Sequence, residues 1–170
     1  MRNHIPQYYS RGDIISLDRG DRMAFYKKVH TEEQPIPEGY QIYSPALMVQ
    51  GVQFRKKDAI KFAKLAISKP VCLIFEREPD NPEDKNAIKI IGCISARREI
   101  KKIHIGYVER ELAKWISESN MIEFVAPRLW KTYAGTKNGG YVEIGYQLVG
   151  AKEMKHKYKS YKENVRSTPK

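Results

Sequence analysis

Five carboxylates, Glu76, Glu78, Asp80, Glu83 and Asp84, fall within nine consecutive positions of a chain whose net charge is +11. Clustered acids can ligate a divalent cation, accept hydrogen bonds from a ligand hydroxyl, or cap their own backbone in a turn. An EF-hand is excluded, because the stretch lacks its glycine and its ligand spacing. A metal-dependent nuclease built on Glu76, Glu78 and Glu83 is the minority reading, since no acid-plus-lysine pair at strand spacing accompanies them. The turn reading is as strong as ligand contact for Asp80, Asn81 and Asn86: Asp80-Asn81-Pro82 is a good turn, and Asx side chains bond their own main chain.

Other chemistries leave no trace. The sequence contains no GxxxxGK[ST], HExxH or GxSxG, so no catalytic motif is present and the chain is not expected to be an enzyme. The four histidines, His4, His30, His104 and His156, are scattered, and there is no CxxC. Neither a metal site nor a cofactor is expected. Cys72 and Cys93 lie in stretches that read as strands and are taken as reduced, half-buried packing residues.

The charge is uneven. Residues 1–45 balance six basic against six acidic side chains, residues 46–150 carry eighteen against twelve, and residues 151–170 carry seven against two. That pattern points to a polyanionic partner, nucleic acid before membrane, because no strongly amphipathic basic helix stands out. No apolar run reaches the ~20 residues of a membrane helix. MRNHIPQYYSRGD lacks the apolar core of a signal peptide, so an intracellular location is expected.

Three zones follow from composition. Residues 1–45, broken by Pro35, Pro37, Gly39 and Pro45, read as an extension containing short candidate strands, DIISL and MAFYKKV. Residues 46–150 alternate strands with two helices. ALMVQGVQF is a strand interrupted at Gly51, and KKDAIKFAKLAIS a helix ending before Pro70. VCLIFERE and NAIKIIGCIS are strands flanking the acidic stretch. ARREIKK reads as a basic connection, HIGYVE as a short strand and ERELAKWISES as the second helix. MIEFVAPRLW and YVEIGYQLVG close the zone around the glycine-rich KTYAGTKNGG. Five to six strands with two helices predict a mainly β (α+β) fold, a small OB-like β-barrel. Residues 151–170 lack apolar periodicity and are read as a disordered basic tail.

Residues 46–117 resemble a HIRAN domain, the small module of certain Swi/Snf-type fork-remodelling ATPases that also stands alone in bacteria and phages. The resemblance rests on GVQF at Gly51–Phe54, REPDNPEDKNAIKI at Arg77–Ile90 and IGYVERELAKWI at Ile105–Ile116, in that order. It extends to about Gly150 and leaves residues 1–45 and the tail outside.

The resemblance implies recognition of single-stranded DNA at a free 3′-hydroxyl end, with aromatics sandwiching terminal bases and a carboxylate meeting the hydroxyl. Asp84 matches the family aspartate, with Asp80 and Asn81 beside it. A fixed carboxylate accepts from a terminal hydroxyl and repels a continuing phosphodiester, so it distinguishes an end from a run of chain. Phe54 is the candidate stacking residue and Arg55 a phosphate contact. Tyr107 belongs beside the bound strand, and Arg110 meets a phosphate at the start of the second helix. Tyr141 is a second stacking candidate. Two departures bear on end selectivity, since Gln53 and Glu83 stand where the best-known eukaryotic members have arginine and tyrosine. The expected role is a DNA-binding module serving a helicase or repair protein. The alternative is a protein-interaction adaptor without end recognition. Oligomeric state is not legible in the sequence.

Overall fold

The computed structural model describes residues 12–17, 24–135 and 137–169. Eight strands and three α-helices occur among them: β1 (Gly12–Leu17), β2 (Ala24–Val29), β3 (Tyr40–Met48), α1 (Lys56–Leu65), β4 (Val71–Arg77), β5 (Ile88–Ala96), β6 (Glu99–Tyr107), α2 (Arg110–Glu118), β7 (Val125–Gly135), β8 (Tyr141–Ala151) and α3 (Lys155–Ser167). The mainly β class expected from the sequence is what is observed, with eight strands and three α-helices where five to six and two were expected. Five strands form one antiparallel sheet in the order β1-β2-β7-β8-β3, and three form another in the order β4-β5-β6. Tyr8 and Tyr9 lie outside the described residues.

The sheets meet over a shared core. Phe62 of α1 is fully buried and its ring lies where Gly92 of β5 has no side chain. A Cβ on Gly92 would come within 2.5 Å of that ring, so the close approach of helix and strand depends on glycine. Phe75 of β4 meets Tyr146 of β8 edge to face, with centroids 6.2 Å apart, which ties the small sheet to the large one.

A second tie is made by main chain. Gln50 and Tyr107 form an isolated antiparallel bridge, each amide donating to the other's carbonyl at 2.8 Å. The approach is so close that a Cβ on Gly106 would stand 2.4 Å from the Gln50 carbonyl oxygen. Gly51, next in line, is left-handed at φ +73° and turns the chain from β3 into a 3-10 turn at Val52–Arg55. The strand expected across ALMVQGVQF therefore ends at Met48, because Gly51 reverses the path rather than bulging it.

Other boundaries also move. β6 begins at Glu99, so the basic connection shrinks to a turn at Arg97 and Arg98; residues Glu99–Lys102 are exposed and hide the strand's pattern. β3 starts at Tyr40 and runs beside β8, so the large sheet crosses the compositional boundary at residue 45. β2 likewise pairs with β7. Pro127 in β7 lacks an amide donor, yet β2 reaches only Lys131–Gly135, so the proline sits where β7 is an edge.

The tail departs most from expectation. Residues Lys155–Ser167 are helical, not disordered. Tyr158 is buried, stacking on Tyr43 at 5.1 Å, while Tyr161 stacks on Trp115 of α2 at 5.1 Å. Aromatic rings placed three residues apart lie on one helix face, and such pairs contribute about 0.5–1.5 kcal/mol each beyond area burial. Aliphatic periodicity misses this anchor because the helix is held by tyrosines among lysines. No helix among the described residues is long and apolar enough to cross a membrane.

Candidate functional site

A cleft of about 940 Å³ opens where the Gln50–Tyr107 bridge joins the sheets. One wall is the 3-10 turn and the start of α1, carrying Phe54, Arg55, Lys56 and Lys57. The other is the acidic loop and the start of α2, carrying Asn81, Glu83, Asp84, Glu109 and Arg110, with Tyr107 between the walls. The lining is therefore polarised, with its lysines concentrated on the first wall and three of its four acids on the second.

Phe54 is 95% exposed although it belongs to the 3-10 turn at Val52–Arg55. The Phe54 amide donates to Gly51 O, and Gln53 instead turns its side chain to the Val142 carbonyl at 3.3 Å. The 3-10 geometry thus presents an unpacked aromatic ring at the cleft mouth. The ring forgoes burial energy in the free protein and is left accessible at the cleft mouth.

The acidic loop is a network. The Asn81 amide donates to Glu78 Oε2 at 2.6 Å, and the Tyr107 hydroxyl donates to the same oxygen at 3.0 Å. Asn81 Oδ1 accepts from the amides of Glu83 and Asp84. Those bonds, first from Asn81 and then from Tyr107, outweigh burial and hold the Glu78 carboxyl below its usual range. Burial, followed by the bond to Glu78, raises the Tyr107 phenol. Glu78 therefore joins the loop to β6 and orients both Asn81 and Tyr107. His104 packs its ring against Tyr107 at 4.8 Å; burial first, then the nearby Arg55 charge, lowers its imidazole below the ordinary value.

Asp84 has two faces. Its Oδ1 accepts from the Asn86 amide at 2.9 Å, the local turn bond that Asx residues make. Its Oδ2 has Arg110 Nε at 3.9 Å, and the side chain is 23% exposed toward the cleft. One oxygen thus fixes the carboxylate in its turn, while the other faces the Arg110 guanidinium. The loop is seated on α2 by Ser117 Oγ, which donates to Asn86 O at 3.2 Å. Arg110, ion-paired with Asp84 at this distance, keeps a side chain that is 77% exposed at the cleft edge.

Six sequence-singled residues line this cleft together: Phe54, Arg55, Asn81, Asp84, Tyr107 and Arg110. Asp80 is exposed and lies outside the lining. Tyr141 also lies outside it, with its hydroxyl donating to Glu143 Oε1 at 2.5 Å and its ring edge-on to Tyr133. The residues that sequence reasoning missed are Lys56 and Lys57, which line the cleft from the start of α1, and Glu78, read only as a metal ligand. For Glu78 the signal was present, since i and i+3 acids and amides in a turn bond each other. Among the described residues, no group of three or more His, Cys, Asp or Glu side chains is arranged to hold a metal ion.

Residues 47–125 match the family model of the HIRAN domain, and every residue lining the cleft falls inside that segment. No curated protein matches the chain in sequence. Among solved structures the chain is similar to the NMR structure of the HLTF HIRAN domain in its DNA-bound conformation. The two are 16% identical, with a TM-score of 0.38, over 77% of this chain and 88% of that one. The segment that builds the cleft, residues 47–125, is thus similar to a HIRAN domain.

Proposed function

We propose that the chain is a DNA-binding module whose cleft takes the free 3′-hydroxyl end of a single strand. The observation that carries the reading is the pairing across one cleft of an exposed ring, Phe54, with a half-buried carboxylate, Asp84. Terminal bases stack on Phe54 and pass Tyr107. The 3′-hydroxyl donates to Asp84 Oδ2, and phosphates further back meet Arg55, Lys56 and Lys57. The polarised lining suits this division: cations follow the backbone, while the acids face the point where charge stops.

Arg110 beside Asp84 completes the proposal. It offsets the acid enough to admit the last nucleotide's own phosphate without cancelling repulsion of a continuing one. The family's role makes an intracellular repair or replication machine, a helicase among them, the expected partner.

Fluorescence polarisation with short oligonucleotides ending in 3′-hydroxyl or 3′-phosphate tests the reading. A charge-assisted hydrogen bond to Asp84 contributes about 1.5–3 kcal/mol, so the hydroxyl end should bind roughly 10- to 150-fold more tightly. Asp84→Asn keeps the acceptor for the Asn86 amide and should bring the ratio close to one. Equal affinity of the wild type for both ends would remove end recognition. No binding at about 50 mM salt would remove DNA as the ligand, since backbone contacts are strongest there.

A further inference from the structure

Outside the cleft, the outward face of the small sheet holds two thiols side by side. In the β4–β5 register Cys72 stands directly opposite Cys93, so both side chains emerge on one face. Cys72 is exposed and Cys93 buried, and neither forms a disulfide in this structure. Lys102 of β6 is the next neighbour in the row, paired with Cys93.

Two bonds at the ends of this ladder fix its phase. The Glu78 amide donates to Ala87 O at 2.9 Å, and the Ser95 amide donates to Pro70 O at 3.0 Å. Both pairs keep the register that sets Cys72 against Cys93. Hydrogen-bonded pairs recur at every second residue, so positions 70, 72, 74, 76 and 78 share one phase. The cysteines therefore occupy a hydrogen-bonded position, where paired Cα atoms lie about 5.5 Å apart. That separation lies inside the range a disulfide spans, about 4.4–6.8 Å. Cβ atoms at such a position sit toward the upper end of the cross-strand range, wider than a relaxed disulfide prefers. A bond formed there is strained, and strained disulfides are the readily reduced ones.

We infer that Cys72 and Cys93 form a reversible thiol–disulfide exchange site for low-molecular-weight disulfides of the glutathione class. Cys72, which solvent reaches, attacks as thiolate on one sulfur of the oxidised small molecule. Its S–S bond breaks, one small thiol leaves and a mixed disulfide forms on Cys72. Cys93 then gives up its proton and attacks the Cys72 sulfur. The second small thiol departs with the electron pair, leaving the protein disulfide. Two protein thiols are oxidised as one small disulfide is reduced to two thiols. The order is dictated by burial, which, with the neighbouring Cys72, pushes the Cys93 thiol up to about 11, so that it cannot lead the attack. Lys102 partly offsets this and favours the thiolate when Cys93's turn comes. The covalent ring closed by this bond contains the whole acidic loop from Glu78 to Asp84.

The test uses the reduced full chain, oxidised glutathione at pH 7.5, quenching by alkylation and non-reducing peptide mapping. Wild type should give a monomer two hydrogens lighter, with Cys72 and Cys93 cross-linked and both thiols restored by dithiothreitol. Cys93→Ser and Cys93→Ala should stop at a glutathione adduct on Cys72. Cys72→Ser should react at least about tenfold more slowly, because a buried thiol held that high is scarcely ionised. A wild-type adduct on Cys72 that persists, a covalent dimer, or native protein that stays unreacted while unfolded protein reacts would each overturn the inference. None of these outcomes depends on DNA binding.

Discussion

Replacing Phe54 by alanine separates binding from folding more cleanly than any other change in this protein. The ring is 95% exposed, so its removal opens no cavity and should move folding stability by no more than about 0.5 kcal/mol. In the bound state the same ring is expected to lie against a base, a contact worth about 1–3 kcal/mol. At 1.4 kcal/mol per decade, Phe54→Ala should weaken an oligonucleotide with a free 3′ end by roughly 5- to 150-fold. Tm should stay put, and the ratio between 3′-hydroxyl and 3′-phosphate ends should survive, because Asp84 is untouched. Phe54→Trp, with a larger π-face, should hold or improve affinity. The assay is polarisation at fixed salt alongside thermal melting of the same samples. Unchanged affinity in Phe54→Ala would refute the stacking argument. A drop in Tm would show instead that the ring supports the fold.

The remaining expectations concern stability and charge. His30 is buried, and burial followed by the nearby Lys28 charge lowers its imidazole to about 3, so the unfolded chain binds the extra proton first. Stability should accordingly fall by up to about 1.4 kcal/mol per pH unit as pH drops from about 6.5 toward 3, and urea midpoints of His30→Gln should show a shallower decline. Gly92→Ala would force its Cβ onto the Phe62 ring, costing about 1–3 kcal/mol and lowering Tm by about 2–12 °C in a melting experiment. Changing the exposed Lys157, Lys159 and Lys162 to glutamine should leave the melt unchanged. If α3 contributes phosphate contacts, the slope of log affinity against log salt should shrink by up to about 2; an unchanged slope would make the helix a purely structural element.

How much of this could be read from the residues differs by region. The order of strands and helices between residues 46 and 150 is written in alternation and in helix spacing, as with VCLIFER at β4 and the Leu112–Ile116 face of α2. β6 was shortened in that reading because its first four residues are exposed on both faces. α3 escaped because its buried face is tyrosine, which a search for aliphatic periodicity passes over. Composition set residues 1–45 apart as an extension, and the joining of β2 to β7 and of β3 to β8 across that boundary was invisible because the pairing is long-range. At the site, motif order brought six cleft residues together in sequence space. Of the two partners of Glu78, Asn81 lies three residues on and its bond was legible as a turn contact, whereas Tyr107 is distant in the chain and was not.

The bridge between Gln50 and Tyr107 has a bearing on how such a cleft can diversify. Both of its bonds are backbone to backbone, so where the sheets meet at the floor of the cleft their separation is gauged by peptide spacing. Substitution at position 50 can recolour the opening without widening it, whereas a methyl group at 106 would prise it apart by displacing the Gln50 carbonyl. Aperture and chemistry are thereby governed by separate residues, and either can drift while the other is held constant.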